Sequence, residues 1–576
     1  MARLRVRQLL ILMILLIAAS LFYINQSPTQ LRFPQILVKP SPWTIRRMNH
    51  PISTYQQLPR GNPRRLPKIQ YAFEVETAEQ KSTREFRQRA IEDAFRHTWH
   101  GYRNHAWLED ELRPLSGESK TTFGNWSATL VDSLDSLWIM GLQDEFDEAV
   151  AAVANIDFET STDVFLNVFE TTIRYLGGLL SAYDLSSNTV LLTKAVQLGN
   201  VLYTAFDTSN HMPTYMLFWK SVLDGNEQEV PDRAAIANIG SMSLEFTRLS
   251  QLTGDMKYYD AIQRVSDLFY DQQDNSIVPG LWPIWVNTAE EDFASEVEFS
   301  FGGMADSAYE YVPKMHLLLG GRKSEYSKMY SKFIEAAKKH LFYRPMTRDG
   351  QDVLISGFLT AKDGPLTLVP SVQHLGCFVG GMVAIGAKTI GPFEDLEIAA
   401  KLADGCFWGY ESMTSGIMPE TFAAAPCTSE SACPWNETAW HEAVLKQLGN
   451  SHDLSMEELI EQHNLAPGFI QIIDGRYLLR PEALESIFVL YRATGDKQWQ
   501  EKAWKIWVAI EKATKTDLAF AQLEDVTFAE PKQVDSMESF WTAETLKYLY
   551  LIFSEPDLIS LDEWVFNTEA HPLRRP

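Results

Sequence analysis

The sequence predicts an all-α body closed into an α/α barrel, preceded by a signal-anchor helix and an extended stem. Three observations carry this. One phrase recurs along the chain, as Leu252-Thr-Gly-Asp-Met-Lys-Tyr-Tyr, Leu319-Gly-Gly-Arg-Lys-Ser-Glu-Tyr and Ala493-Thr-Gly-Asp-Lys-Gln-Trp-Gln, with a looser copy at Tyr183-Asp-Leu-Ser-Ser-Asn-Thr. In each, a helix ends at a glycine or its equivalent, a polar residue caps the next helix, and an aromatic or apolar residue opens its buried face. Long alternating β-patterned runs are scarce. Helical hairpins recurring about every 70 residues build either an open solenoid or a closed barrel. Irregular repeat lengths, and loops that hold acidic residues, favour closure. A closed barrel gathers one end of every inner helix round a central pit.

Composition sets the outer bounds. The 576 residues exceed one ordinary core, so the body is either several domains or one large repeat architecture. Hydrophobic residues at 45% and charged residues at 22% describe a globular chain. A net charge of −24 argues against nucleic-acid binding, which needs a basic face. Aromatics reach 12% with 16 Trp, a store of large core residues and of sugar-stacking surfaces. The four cysteines, Cys377, Cys406, Cys427 and Cys433, lie in one window and contain no CxxC zinc pattern. An even, clustered set predicts two disulfides in an oxidising compartment. Nearest-neighbour pairing is one of three connectivities.

The chain begins with residues 1–8, a tail carrying Arg3, Arg5 and Arg7. The apolar run 9–24 follows, a membrane-insertion signal with positive residues on its N-terminal side. It is shorter than the roughly 20 residues that span an average bilayer, which suits a thin early-secretory membrane. A cleaved signal peptide is the alternative. An uncleaved single-pass anchor leaves the tail cytosolic and the body lumenal. Residues 25–80 carry eight prolines, Pro28, Pro34, Pro40, Pro42, Pro51, Pro59, Pro63 and Pro67, and read as an extended stem holding the body, 81–576, off the membrane. Sequons occur at Asn25, which lies too close to the membrane for use, and at Asn125 and Asn436, which agree with a lumenal body.

From Glu85 the spacing turns helical, with Phe86, Ala90, Ala94 and Phe95 as an apolar series. Leu134, Leu137, Trp138 and Met140 mark a helix nearing its end at Gly141. Four later phrases combine an acid with aromatics, arginine or glycine. In Val168-Phe-Glu170-Thr-Thr-Ile-Arg174, the acid and the base share a helix face. Such a pair is usually an exposed ion pair, but Phe169, Ile173, Leu176 and Gly177-Gly178 are poor surface neighbours. In Ser300-Phe-Gly-Gly-Met-Ala-Asp306, a glycine turn leads into an aromatic helix with Asp306 near its start, where it is either an N-cap or a functional acid. In Arg480-Pro481-Glu482-Ala-Leu-Glu485, the proline places both glutamates on the opening turns of a helix. Ser539-Phe540-Trp-Thr-Ala-Glu544 is again an acid in an aromatic setting. Paired carboxylates beside arginine, histidine and aromatics point to glycoside hydrolysis: one carboxyl donates a proton while another activates water. Near the C-terminus, Phe566-Asn-Thr568-Glu569-Ala-His-Pro572 gathers a hydroxyl, carbonyls and a carboxylate, the donors a hard cation takes.

These phrases resemble the class I α-1,2-mannosidases, glycoside hydrolase family 47. The matching stretches are VDSLDSLWIMGL (131–142), FETTIRYLGGLLSAY (169–183), FGGMADSAYEYVPK (301–314), HLGCF (374–378), YLLRPEALES (477–486) and FNTEAHP (566–572). The resemblance implies an (αα)7 barrel catalytic domain that removes terminal α-1,2-linked mannose from high-mannose N-glycans, with inversion and with Ca2+. It implies that Glu170 is the acid, acting through a water, that Glu482 is the base, and that Asp306 is a third essential acid. Arg174, His374, Arg480 and Phe540 match sugar-pocket residues. Thr568 matches the calcium ligand, through its hydroxyl and carbonyl, and Glu485, Glu544 and Glu569 match acids that hold the calcium's waters. Cys377 and Cys406 match the family disulfide. The setting implied is an ER or Golgi membrane, single-pass type II, with a monomeric lumenal catalytic domain.

Two departures stand out. Members that remove a single middle-branch mannose usually carry arginine just before the Asp306 motif, and this chain has Met304, which favours broader trimming. An acid often precedes the histidine of HLGCF, and here it is Gln373. Two rival readings are a degradation-linked relative that recognises misfolded glycoproteins and a helical scaffold without catalysis. The full set of acids favours the hydrolase.

Overall fold

The structure, a computed structural model, describes residues 40–427, 433–449 and 454–576. The anchor expected at 9–24, the sequon at Asn25 and the first part of the stem lie outside the described residues. No helix among the described residues is long and apolar enough to cross a membrane.

Helices alternate between an outer and an inner layer. In chain order they are α1 (Ala78–His105), α2 (128–139), α3 (Gln143–Val153), α4 (168–186), α5 (Thr189–Tyr203), α6 (236–253), α7 (Met256–Gln272), α8 (Asp306–Leu318), α9 (Ser324–His340), α10 (Val379–Thr389), α11 (Asp395–Ser412), α12 (Glu482–Thr494), α13 (Gln498–Thr514) and α14 (541–552). The even-numbered helices are inner. Each packs on the next, and α14 returns to α2, which closes the ring. Each odd-numbered helix backs an inner one. Inner helices are buried almost all round, as in α12, where 11 residues from Ala483 to Ala493 are buried, while outer α7 and α9 bury only one face.

The recurring phrase is the turn from an inner to an outer helix. Gly254 and Gly495 close α6 and α12 in the left-handed conformation, at φ 76° and 72°, and Asp255 caps α7 by accepting the Lys257 N–H. Ser187 (φ 58°) followed by the Asn188 cap does the same between α4 and α5. Connections at this end are short. At the other end they are long and carry two- and three-stranded antiparallel pairs, such as Leu166–Asn167 with Met216–Leu217 and Ala234–Ala235 with Trp285–Val286. That end is the mouth, and every inner helix begins there.

The C-terminus is a plug. Strands Trp564–Phe566 and Pro572–Arg574 form a hairpin that enters from the short-loop end and carries residues 567–571 into the barrel. Asn567 shapes the tip: its Oδ1 accepts the N–H groups of Glu569 and His571, and its Nδ2 donates to the Ile173 carbonyl. Gly177 and Gly178 let the plug and α2 approach α4. A Cβ on Gly177 would lie 2.6 Å from Asn567 Nδ2, and one on Gly178 would lie 2.7 Å from the Val131 carbonyl.

Several expectations change. The buried face of α1 runs through Ile91, Ala94, Phe95, Thr98, Trp99 and Tyr102, whereas Phe86 is 60% exposed, its ring centre 6.0 Å from that of Trp504 in an edge arrangement. Residues 40–77 have the extended backbone that their prolines dictate, with one short turn at Pro42–Ile45, but they are no free spacer. Trp43 and Ile69 are buried, Arg46 pairs with Asp207, and the Tyr71 N–H donates to the Arg492 carbonyl, so this part of the stem is a strap bound to the barrel. Cys377–Cys406 ties the start of α10 to α11, and Cys427–Cys433 closes a loop in the 427–470 insertion. Asn436 is an exposed helix cap there, while the Oδ1 of Asn125 is buried.

Candidate functional site

The mouth collects Glu170, Asp306, His374, Arg480, Glu482 and Phe540 from five long connections, because each sits at or just before the first turn of an inner segment. Asn167 caps α4 by accepting the Glu170 N–H at 3.2 Å. The next turn, Thr171–Leu176, is π-helical, a widened turn often found at functional sites, and it contains Arg174. Arg174 Nε donates to Glu170 Oε2 at 2.9 Å, and Nη1 reaches Glu569 at 3.2 Å and Ser539 Oγ at 3.2 Å. Its guanidinium lies 4.7 Å from the Phe123 ring centre and 5.7 Å from that of Phe540. Burial works against the Arg174 charge, but Glu569, Glu170 and Asp132 outweigh it and hold the group firmly cationic.

On the opposite wall, Glu482 is the first residue of α12. His374 Nδ1 lies 2.7 Å from Glu482 Oε2, and Nε2 lies 2.7 Å from the Tyr410 hydroxyl, so both ring nitrogens are engaged. Arg480 Nη1 stands 3.8 Å from Glu482 Oε1, while Nε donates to Glu420 at 2.6 Å and the guanidinium lies 5.9 Å from the Phe540 ring centre. Burial raises the Glu482 pKa, yet the bond and charge of His374, followed by the Arg480 charge, bring it below the usual carboxylate value. Asp306 goes the other way. It is the first residue of α8, its Oδ1 accepts the Ser307 N–H, and burial pushes its pKa up to about 7 with help from the charges of Glu310 and Glu482. The backbone before it is tight: Met304 has φ 74°, its carbonyl accepts the Ala237 N–H, and its side chain is 52% exposed at the rim. Gln373 Oε1 accepts the Gly303 N–H at 2.7 Å, which joins the Asp306 turn to the strand carrying His374.

The floor of the pit is the plug tip ringed by inner-helix acids. Thr568 donates its N–H to the Tyr311 hydroxyl. Burial pushes Glu485 up to about 8, eased by Lys314, which also pairs with Glu310. Burial likewise pushes Glu569 up to about 8 against the pull of Arg174, and Glu544 is raised well above the usual carboxylate value by burial and the charges of Glu569 and Glu482. Beneath them His571 is held by Asp132 at 3.0 Å and Asp135 at 2.8 Å, with Lys547 on Asp135 at 2.8 Å. The sequence reading did not single out Asp132, Asp135, Glu245, Glu310, Lys314, Tyr410, Glu420 or His571. Asp132 and Asp135 stand inside the stretch 131–142, and two acids three apart on one helix were the available signal.

These donors fit a hard cation. Glu485, Glu544 and Glu569 are driven toward protonation chiefly by burial, a cost that a divalent cation bound through oxygen relieves. Among the described residues no group of three or more His, Cys, Asp and Glu is arranged to hold a metal directly.

Known proteins are similar to this chain in sequence and in fold. The chain is 35% identical over 498 residues to the human endoplasmic reticulum mannosyl-oligosaccharide 1,2-alpha-mannosidase, covering 85% of this chain and 64% of that protein, so it spans under two thirds of that relative. It is 35% identical over 497 residues to a mannosyl-oligosaccharide 1,2-alpha-mannosidase of Arabidopsis thaliana, covering 85% of this chain and 78% of the relative. The solved alpha-1,2-mannosidase from Trichoderma reesei superposes with a TM-score of 0.74 at 31% identity, covering 85% of this chain and 99% of that one. The profile of glycosyl hydrolase family 47 matches residues 94–575, from α1 through the plug. From its first outer helix to its C-terminal hairpin, the chain belongs to glycosyl hydrolase family 47.

Proposed function

We propose that this chain is an inverting, Ca2+-dependent α-1,2-mannosidase that removes terminal α-1,2-linked mannose from high-mannose N-glycans during glycoprotein maturation. The observation that carries this reading is the divided protonation of the mouth carboxyls. Glu482 is kept ionised by His374 and Arg480, whereas Asp306 is pushed up to about 7 by burial. Such a split leaves Glu482 ready to accept a proton and sets a protonated carboxyl near it.

Glu482 is the base that takes a proton from the attacking water. His374, anchored by Tyr410, aims the carboxylate. Glu170 delivers a proton to the leaving oxygen through a water, with Arg174 fixing its carboxyl. Asp306 supplies the carboxyl that keeps a proton close to neutral pH. Phe540, with the guanidinium groups of Arg174 and Arg480 beside it, offers its ring to the sugar. When bound, Ca2+ supplies a hard centre that orients sugar hydroxyls and waters, with Thr568 as its protein ligand and Glu485, Glu544 and Glu569 holding the waters. The relatives' names as mannosyl-oligosaccharide 1,2-alpha-mannosidases support the substrate class. Met304 at the rim, in place of an arginine, supports trimming on more than one branch. The run at 9–24 supports a single-pass anchor in an ER or Golgi membrane, with a monomeric body in the lumen.

The test is digestion of a high-mannose glycan by the purified lumenal body, with products resolved by branch. Glu482→Gln should lower release on the order of 10²–10⁴-fold while the circular dichroism spectrum is preserved. EDTA should abolish release and Ca2+ should restore it. Unchanged release in either arm refutes the mechanism.

A further inference from the structure

Exposed rings stand at one edge of the mouth. Phe165 is 39% exposed and Phe218 is 48% exposed, with ring centres 5.8 Å apart at 52°. Among the described residues, this is the one pair of contacting rings in which both members are exposed. Aromatic rings normally gain by burial, so a solvent-facing pair held in place calls for a reason.

The pair is held firmly. Leu166 and Asn167 pair with Leu217 and Met216, which sets Phe165 and Phe218 side by side at the end of a two-stranded ladder. The Val168 N–H donates to the Tyr215 carbonyl. Behind the pair, buried Trp219 donates its indole N–H to the Asp163 carbonyl at 2.8 Å, which fixes the loop that carries Phe165. The same ladder leads straight into the site, since Asn167 caps the helix turn at the Glu170 N–H. Five residues separate Phe165 from Glu170, a span of at most about 17 Å. A glycan whose terminal mannose occupies the pit has more sugar rings leaving through the mouth, within that reach.

Resting on the mannosidase reading above, we propose that Phe165 and Phe218 form an outer subsite that stacks a mannose ring of the same glycan beyond the two sugars flanking the scissile bond. The apolar face of a pyranose lies flat on exposed aromatic carbon. Rigid rings with two side-chain torsions each lose little entropy on binding. The site selects for large glycans and for the branch whose further sugars reach this edge, leaving the bond-breaking groups untouched.

The experiment compares two substrates, an α-1,2-linked mannose disaccharide and a free high-mannose glycan, on wild type and on Phe165→Ala/Phe218→Ala. The double variant should lose about three- to tenfold in kcat/KM on the glycan, mostly through KM, the scale of one aromatic contact. It should cleave the disaccharide like wild type, and Phe218→Tyr should keep glycan efficiency. Equal losses on both substrates, or none on the glycan, overturn the subsite. A loss seen only on denatured glycoprotein, with the free glycan cleaved normally, also overturns it and assigns the rings to polypeptide. Wild type inactive on both substrates would instead refute the underlying mannosidase reading.

Discussion

Gln373 links two acids with opposite protonation. Its amide oxygen accepts the Gly303 N–H, three residues before Asp306, and its backbone leads into His374, which holds Glu482. A Cβ added at Gly302 would lie 2.2 Å from that oxygen, so the side chain fills its slot. The pH dependence follows from the neighbouring groups. Asp306, raised to about 7 by burial, is protonated below that value and ionised above it. Glu482 is lowered, so it stays ionised across the neutral range and titrates on the acid side. The kcat/KM of wild type should therefore fall on the alkaline side with an apparent pKa near 7. Gln373→Glu keeps an acceptor for the Gly303 N–H but brings a negative charge toward Asp306, and like charge favours the protonated form. The alkaline limb should move up by a fraction of a pH unit, with little change in thermal stability. A pH titration of initial rates checks this, and a limb that stays in place or moves down removes Asp306 from the control of the profile.

The plug hairpin is the element on which the floor depends. Its tip brings Glu569 to Arg174, His571 to Asp132 and Asp135, and Asn567 to Glu245 at 2.8 Å. Truncation before Thr568 removes Thr568, Glu569 and His571 together and leaves Asp132 and Arg174 short of buried partners. Stripping partners from buried charges costs about 3–5 kcal/mol for each pair broken. The truncated chain should lose activity and unfold at a clearly lower temperature, read by calorimetry beside the activity assay. Retained activity would mean that the plug does not build the site. Much of this element was legible in the sequence. A hydroxyl, carbonyls and a carboxylate between an aromatic and a proline signalled a ligand-rich end, and the helix starts near Asp306 and Glu482 followed from glycine-turn and proline chemistry. Its partners were not legible. Asp135, Glu245 and Lys314 lie in inner helices buried on all sides, so no amphipathic period marks which polar residues turn to the pit. Spacing offers only neighbours on the same helix, whereas Lys314 reaches Glu485, 171 residues away. The widened turns at Thr171–Leu176 and Trp541–Thr545, which shift the side-chain register at Arg174 and Glu544, likewise leave no local signature.

Across the whole molecule, the strap 40–77 joins ends of the barrel that are far apart in sequence. It starts on the mouth side, where Arg46 meets Asp207 and the His50 N–H donates to the same carboxylate. It then runs down the wall past Asp260, which accepts the Gln56 N–H, and crosses the short-loop end. There the Arg64 N–H donates to the Gly320 carbonyl, and the Ile69 and Gln70 N–H groups share Asp562, at the foot of the plug. Ile69, 1% exposed, lies in a small cavity lining with Lys314, Glu485, Phe488 and Phe566, directly behind the floor. Proline density alone reads as a free spacer, because the bonds that dock the strap come from residues up to 493 positions away. The strap therefore behaves as a latch on the hairpin that carries Thr568. A chain beginning at residue 78 should melt lower than one beginning at residue 40, and Ile69→Ala alone should cost about 2–5 kcal/mol, the range for emptying a buried aliphatic site. If the latch acts through the plug, both changes should also raise the Ca2+ concentration that restores activity after EDTA, while kcat at saturating Ca2+ stays near that of the longer chain. Calorimetry and a Ca2+ titration of activity separate these effects. A lower melting temperature with an unchanged Ca2+ requirement would make the strap a brace of the outer wall with no hold on the floor of the site.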